Sequence, residues 1–171
     1  MRRGVILLRI AGDQRIDKAS LTLYHLYMMK QTVEMISIGT IRREDAAAGK
    51  SIEALRAERV RIEIDPELTD GLLGLAAGSD VLVLYHFDRR QTDYTLQVHP
   101  RGNPSRPLRG VFATRSPARP NPIAATSARV LSRAGNVLEV VGLDALDETP
   151  VLDIKPLSDF EAPYRGRAGE R

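Results

Sequence analysis

Hydrophobic and polar positions alternate along much of this chain with a period of two, not 3.6. Arg59–Ile64 reads Arg-Val-Arg-Ile-Glu-Ile and predicts a half-buried strand. Ile36–Ile41 alternates apolar with small or polar residues and predicts another. Val81–Phe87 is a continuous apolar run with β-branched and aromatic members, the pattern of a buried strand. Tyr94–Val98 and Val151–Ile154 read as further strands. Ile123–Leu131 and Val137–Val141 flank Ser132-Arg133-Ala134-Gly135-Asn136, a hairpin signal. Three segments leave this pattern. Ala19–Met29 predicts a short helix with Ser20 at its cap. Ala46–Glu58 reads as a helix or a mobile loop, and Pro66–Leu75 as a short helical turn. Pro100–Pro122 holds six of the ten prolines and is mostly loop, interrupted at Gly110–Ala113. About eight short strands at close spacing predict a mainly β fold, an antiparallel sheet or small barrel with short helices, not a doubly wound one.

A length of 171 residues favours one principal domain. The pattern places it at residues 35–160, after an N-terminal extension of residues 1–34 and before a flexible tail at 161–171. Met28, Met29 and Met35 offer alternative starts, so part of residues 1–28 is expected to be upstream sequence. No 18-residue apolar run and no signal peptide are read. The absence of Cys excludes disulfides, thiolate metal sites and Cys nucleophiles, and the three His are too dispersed to predict a metal site. This is the composition expected of a cytoplasmic protein.

Charge changes the picture. The net charge is only +3, yet Tyr94–Leu138 contains seven Arg and no Asp, Glu or Lys, which leaves −4 for the rest. Arg presents a planar fork of donors that suits phosphate and stacks on bases. An acid-free, Arg-only segment points to a nucleic acid, to a solvated basic face, or to arginines paired with acids elsewhere in the chain. Phosphate-cradling and dinucleotide-binding glycine motifs are both missing, so a nucleotide-like ligand would need another cradle.

The most informative residues are Gly110-Val111-Phe112-Ala113-Thr114-Arg115-Ser116-Pro117-Ala118-Arg119-Pro120-Asn121-Pro122-Ile123 and, later, Asp147-Glu148-Thr149-Pro150-Val151-Leu152-Asp153-Ile154-Lys155-Pro156. Three prolines stiffen the loop that carries Arg115, Arg119 and Asn121. Of these, Arg119 and Asn121 are candidate substrate contacts by charge and hydrogen-bonding capacity. Period two puts Asp153 and Lys155 on one strand face with Val151, and Leu152 and Ile154 on the other. The acid–base pair is a structural ion pair or an orienting pair for a polar ligand.

These two blocks, with Ile38-Gly39-Thr40-Ile41 upstream, resemble the TsaA-like (TrmO) family, and the resemblance spans about residues 35–157. It implies a small β-barrel that binds S-adenosylmethionine without a Rossmann domain and forms a homodimer. It also implies methyl transfer to N6 of threonylcarbamoyl-adenosine beside the tRNA anticodon, with no metal. By position, the family's cofactor contacts fall on Asp88, Arg89, Arg115, Ala125, Val141, Gly142, Leu143 and Asp144. Candidate substrate contacts are Arg119, Asn121, Asp153 and Lys155. Asp144 and Asp153 are the carboxylates nearest to a base role, and no catalytic residue is assigned. The chain departs from the family pattern at Asp88, at Ala124-Ala125-Thr126, and at Glu148, where the family has Gly. The family's cofactor-holding element after the first strand has no evident counterpart in Arg43–Glu58. Alternatives are a related methyltransferase on another RNA or a small molecule, or a non-catalytic cofactor- or RNA-binding module.

Overall fold

The computed structural model describes residues 33–44, 49–89 and 93–157. The expected helix at Ala19–Met29 and the expected tail at 161–171 lie outside them. The strands are β1 (Gly39–Arg42), β2 (Arg59–Ile64), β3 (Asp80–His86), β4 (Gln97–Val98), β5 (Arg109–Gly110), β6 (Ile123–Ala134), β7 (Val137–Val141) and β8 (Pro150–Pro156). Six of them close into an antiparallel barrel in the order β1-β2-β7-β6-β3-β8, while β4 and β5 form a separate ribbon. The one α-helix among the described residues is α1 (Ile52–Ala57). Ser51 caps it by accepting from the Ala54 N–H at 3.1 Å.

Period-two patterning builds the core. Val60, Ile62 and Ile64 of β2, Val81, Val83 and Tyr85 of β3, and Leu138 and Val140 of β7 all point inward. Along β6 the inward positions are Ala124, Thr126, Ala128 and Val130. Register sets Ala124 against Tyr85, Thr126 against Val83 and Ala128 against Val81. Small residues on one strand thus make room for larger ones on the next, so the narrow barrel is filled without a channel.

Several sequence expectations shift. Pairing of the first strand starts at Gly39 rather than Ile36, although the Ile38 N–H still donates to the Val151 carbonyl at 2.8 Å. Tyr94–Val98 reduces to Gln97–Val98, paired only with β5. The β6–β7 loop is not five residues long. β6 runs on to Ala134, which pairs with Val137, and Gly135-Asn136 alone make the turn. Gly135 takes φ 59° at the first central position, which glycine tolerates in such hairpins. On β8 the expected alternation breaks. Leu84 pairs with Asp153 but Tyr85 with Val151, so Leu152 is an extra residue in a bulge. The bulge flips the phase. Val151 and Ile154 both pack on the core, and Asp153 and Lys155 face outward as an ion pair at 2.7 Å.

Candidate functional site

At the end of the barrel where β3 finishes and β6 begins, a cleft of about 1110 Å³ opens. Its floor is Tyr85, Phe87 and Ile123–Thr126. Its walls are α1, with Ile52, Glu53 and Arg56, and the segment from Val98 to Arg119. The Arg-only stretch therefore has a place in the fold. Arg101, Arg106, Arg109, Arg115 and Arg119 line this one cleft, joined by Arg56. The other two serve the barrel: Arg129 forks onto Asp80 at 2.7 and 2.8 Å, and Arg133 donates to the Leu72 carbonyl at 2.8 Å.

Asp144 sits on the cleft edge within a dense hydrogen-bond group. Its Oδ1 is 2.9 Å from the Tyr85 hydroxyl and 3.0 Å from Thr126 Oγ1, and those two oxygens are 3.1 Å apart. Its Oδ2 accepts from Arg56 Nη2 at 2.9 Å. Three oxygens share two hydroxyl protons, so the carboxylate draws both toward itself. Burial works against the Asp144 charge. The hydrogen bonds from Tyr85 and Thr126 and the Arg56 guanidinium outweigh it and hold the carboxyl below the usual range. Burial, reinforced by the Asp144 charge, pushes the Tyr85 phenol well above its ordinary value, so it stays protonated and donating. Asp144 is thereby a fixed anion and a poor proton acceptor.

The approach to Asp144 is shaped by Gly142. Its φ is 112°, and a Cβ there would lie 2.8 Å from the Ser127 carbonyl oxygen. Its N–H donates to the Arg56 carbonyl at 3.0 Å, which ties the end of β7 to α1. Leu143 is buried in the core. Val141 and Gly142 thus act through the backbone path that delivers Asp144.

The remaining positions divide. Arg115 and Ala125 meet, Nη1 donating to the Ala125 carbonyl at 2.7 Å, and both line the cleft. Arg119 lines it while bonding the Ser116 and Thr114 carbonyls at 2.9 and 2.7 Å, which braces the proline-rich loop. Asp88, Arg89, Asn121, Val141, Gly142, Leu143, Asp153 and Lys155 are not part of the cleft lining. Arg89 instead donates to the Asp147 carbonyl at 2.8 Å, beside Glu148. Glu148 holds φ 61°, a left-handed conformation that explains why glycine suits this position in the family pattern.

Sequence reasoning missed Tyr85, Thr126, Glu53 and Arg56. Two signals were present. A Tyr on a buried strand needs a partner for its hydroxyl, and Thr126 is the polar member of an otherwise apolar inward row. Among the described residues, no group of three or more His, Cys, Asp or Glu could hold a metal ion, and no helix is long and apolar enough to cross a membrane.

A closed six-strand barrel with an arginine-lined cleft at its end belongs to the barrel class of ligand-binding folds, not the doubly wound nucleotide-binding class. Within that class the match is specific. The tRNA-methyltransferase O N-terminal domain matches residues 42–160, and the chain belongs to that family. A probable S-adenosyl-L-methionine-binding protein of Archaeoglobus fulgidus is 45% identical over 128 residues, covering 74% of this chain and 34% of that protein. One from Methanothermobacter thermautotrophicus is 40% identical over 136 residues, 75% of this chain and 93% of that protein. The tRNA (adenine(37)-N6)-methyltransferase of Mus musculus is 38% identical over 108 residues, 61% of this chain and 25% of that protein. The crystal structure of TrmO from Pseudomonas aeruginosa superposes with a TM-score of 0.60 at 32% identity, over 81% of this chain and 62% of that one. The chain spans about a third of the first of these relatives and a quarter of the mouse enzyme.

Proposed function

We propose that this protein is an S-adenosylmethionine-dependent methyltransferase acting on N6 of threonylcarbamoyl-adenosine next to the anticodon of tRNA. The observation that carries this reading is the convergence of five arginines from one acid-free segment on the cleft that also holds Asp144. Relatives named for binding the cofactor and for tRNA methylation support it. In this proposal the protein works in the cytoplasm as a homodimer. The exposed Tyr94, Leu96, Leu108 and Phe112 supply apolar surface for a second copy.

The cleft fits the cofactor chemically. Phe87 and Tyr85 pack edge to face with ring centres 5.9 Å apart, and with Ile123 they give an apolar wall for a purine or a thioether chain. Asp144 is an ionised acceptor for ribose hydroxyls or an ammonium group, and Arg115 is a donor for a carboxylate. Small-molecule pockets run to roughly 1000 Å³, so a cleft of about 1110 Å³ has room for a second reactant. When bound, S-adenosylmethionine supplies an electrophilic methyl group on a sulfonium centre. The protein's part is to hold the reactants in line and keep water out. Asp144 is committed to three donors and Asp153 to Lys155, so neither carboxylate is placed as a base. Excess arginine suits the anticodon loop, a polyanion whose bases can be splayed out.

Nucleoside mass spectrometry after incubation with labelled S-adenosylmethionine tests this. The label should enter tRNA that carries threonylcarbamoyl-adenosine and not tRNA lacking it. Equal labelling of both would move the reading to another RNA site, and labelling of neither would leave the non-catalytic module.

A further inference from the structure

Arg43 takes no part in the reading above, and nothing in its sequence context marks it. It is nevertheless a buried arginine with a side chain only 1% exposed. Its guanidinium makes four hydrogen bonds. Nε donates to the Ala145 carbonyl at 3.2 Å, and Nη2 to the Leu143 carbonyl at 2.9 Å. Nη1 donates to the Leu55 carbonyl at 3.2 Å and to Glu58 Oε2 at 2.6 Å. Its own N–H donates to Asp147 Oδ1 at 2.9 Å. The two carbonyls on Nε and Nη2 belong to the residues on either side of Asp144. The Nη1 partners lie in the last turn of α1 and at its cap.

Helix α1 has six residues, far too few to persist alone in water. It contributes Ile52, Glu53 and Arg56 to the cleft, and Arg56 pairs with Asp144. One planar fork therefore joins the two cleft walls that meet at the carboxylate. We infer that Arg43 is a positioning residue for cofactor binding: it fixes the backbone on both sides of Asp144 against α1. This rests on the proposal that Asp144 faces the cofactor. Lys is not a substitute, since a single ammonium on a flexible stem cannot span carbonyls in three directions.

The test is a double-mutant cycle on the full chain, read by calorimetric titration of S-adenosylmethionine with melting temperature measured beside it. Arg43→Lys should weaken cofactor binding about tenfold. In an Asp144→Asn background the same change should weaken it less than twofold, because the group being positioned is already altered. Glu58→Gln, which takes the carboxylate off the buried guanidinium and loosens its hold on α1, is the milder probe where Arg43→Lys does not fold: it should weaken affinity about two- to threefold in the unaltered chain and not in the Asp144→Asn background. Equal losses in both backgrounds, or a lower melting temperature with unchanged affinity, would make Arg43 merely structural and overturn the inference. No binding by the unaltered chain would overturn the cofactor reading itself, and the inference with it.

Discussion

Single atoms decide much at Gly142 and Asp144. Gly142→Ala puts a Cβ against the Ser127 carbonyl and a side chain at φ 112°, where strain costs about 1–3 kcal/mol. The variant should melt lower and bind cofactor less tightly, because the strain sits two residues before Asp144; an unchanged melting temperature would contradict the close approach. Asp144→Asn should cost about 1–2 kcal/mol at neutral pH by weakening three charge-assisted bonds. The folded-state carboxyl titrates below its unfolded value, near 3.9. Its contribution is therefore complete above about pH 4 and is lost as pH falls through the lower folded value. Unfolding measured from pH 8 downward should show a constant gap between the two proteins, closing only below about pH 4. At the residue scale the sequence was partly legible. Asp144, Arg115 and Ala125 stand out through the family motif, whereas Arg43 and Arg56 carry no local signature. Their roles arise from carbonyls that lie far away in the chain.

At the scale of elements, strands were easier to read than loops. Val60, Ile62 and Ile64 show their face directly, because alternation on a half-buried strand has one cause. The bulge at Leu152 was invisible, since an inserted residue changes the phase without changing composition. Its consequence is functional: Asp153 and Lys155 lie on the outer surface, in the sense of a structural ion pair. The proline-rich segment was read as loop, and the seven arginines of Tyr94–Leu138 as one acid-free group. Folding separates that group into the five of the proline-rich segment at the cleft and the two of β6 on the barrel. If Arg101, Arg106 and Arg109, the cleft arginines given neither to the cofactor nor to the loop carbonyls, contact phosphates of a single-stranded loop, tRNA affinity should fall with a log–log salt slope of about −2. Arg106→Ala should make that slope shallower by about 0.7 and leave cofactor affinity unchanged. A flat salt dependence in the unaltered protein would remove phosphate contact from the account.

Over the whole molecule, the site exists only because the barrel closes. Arg56, Tyr85, Arg115, Thr126 and Asp144 come from α1, β3, the proline-rich loop, β6 and the turn after β7. No window of sequence contains them together, which is why period and motif led to the fold and to part of the site but not to its hydrogen-bond group. If this cleft takes S-adenosylmethionine, calorimetric titration of S-adenosylmethionine and S-adenosylhomocysteine into the folded chain should show saturable binding of both, about one per chain, weakened at least tenfold by Arg115→Ala. Folded protein that takes up neither would contradict that reading.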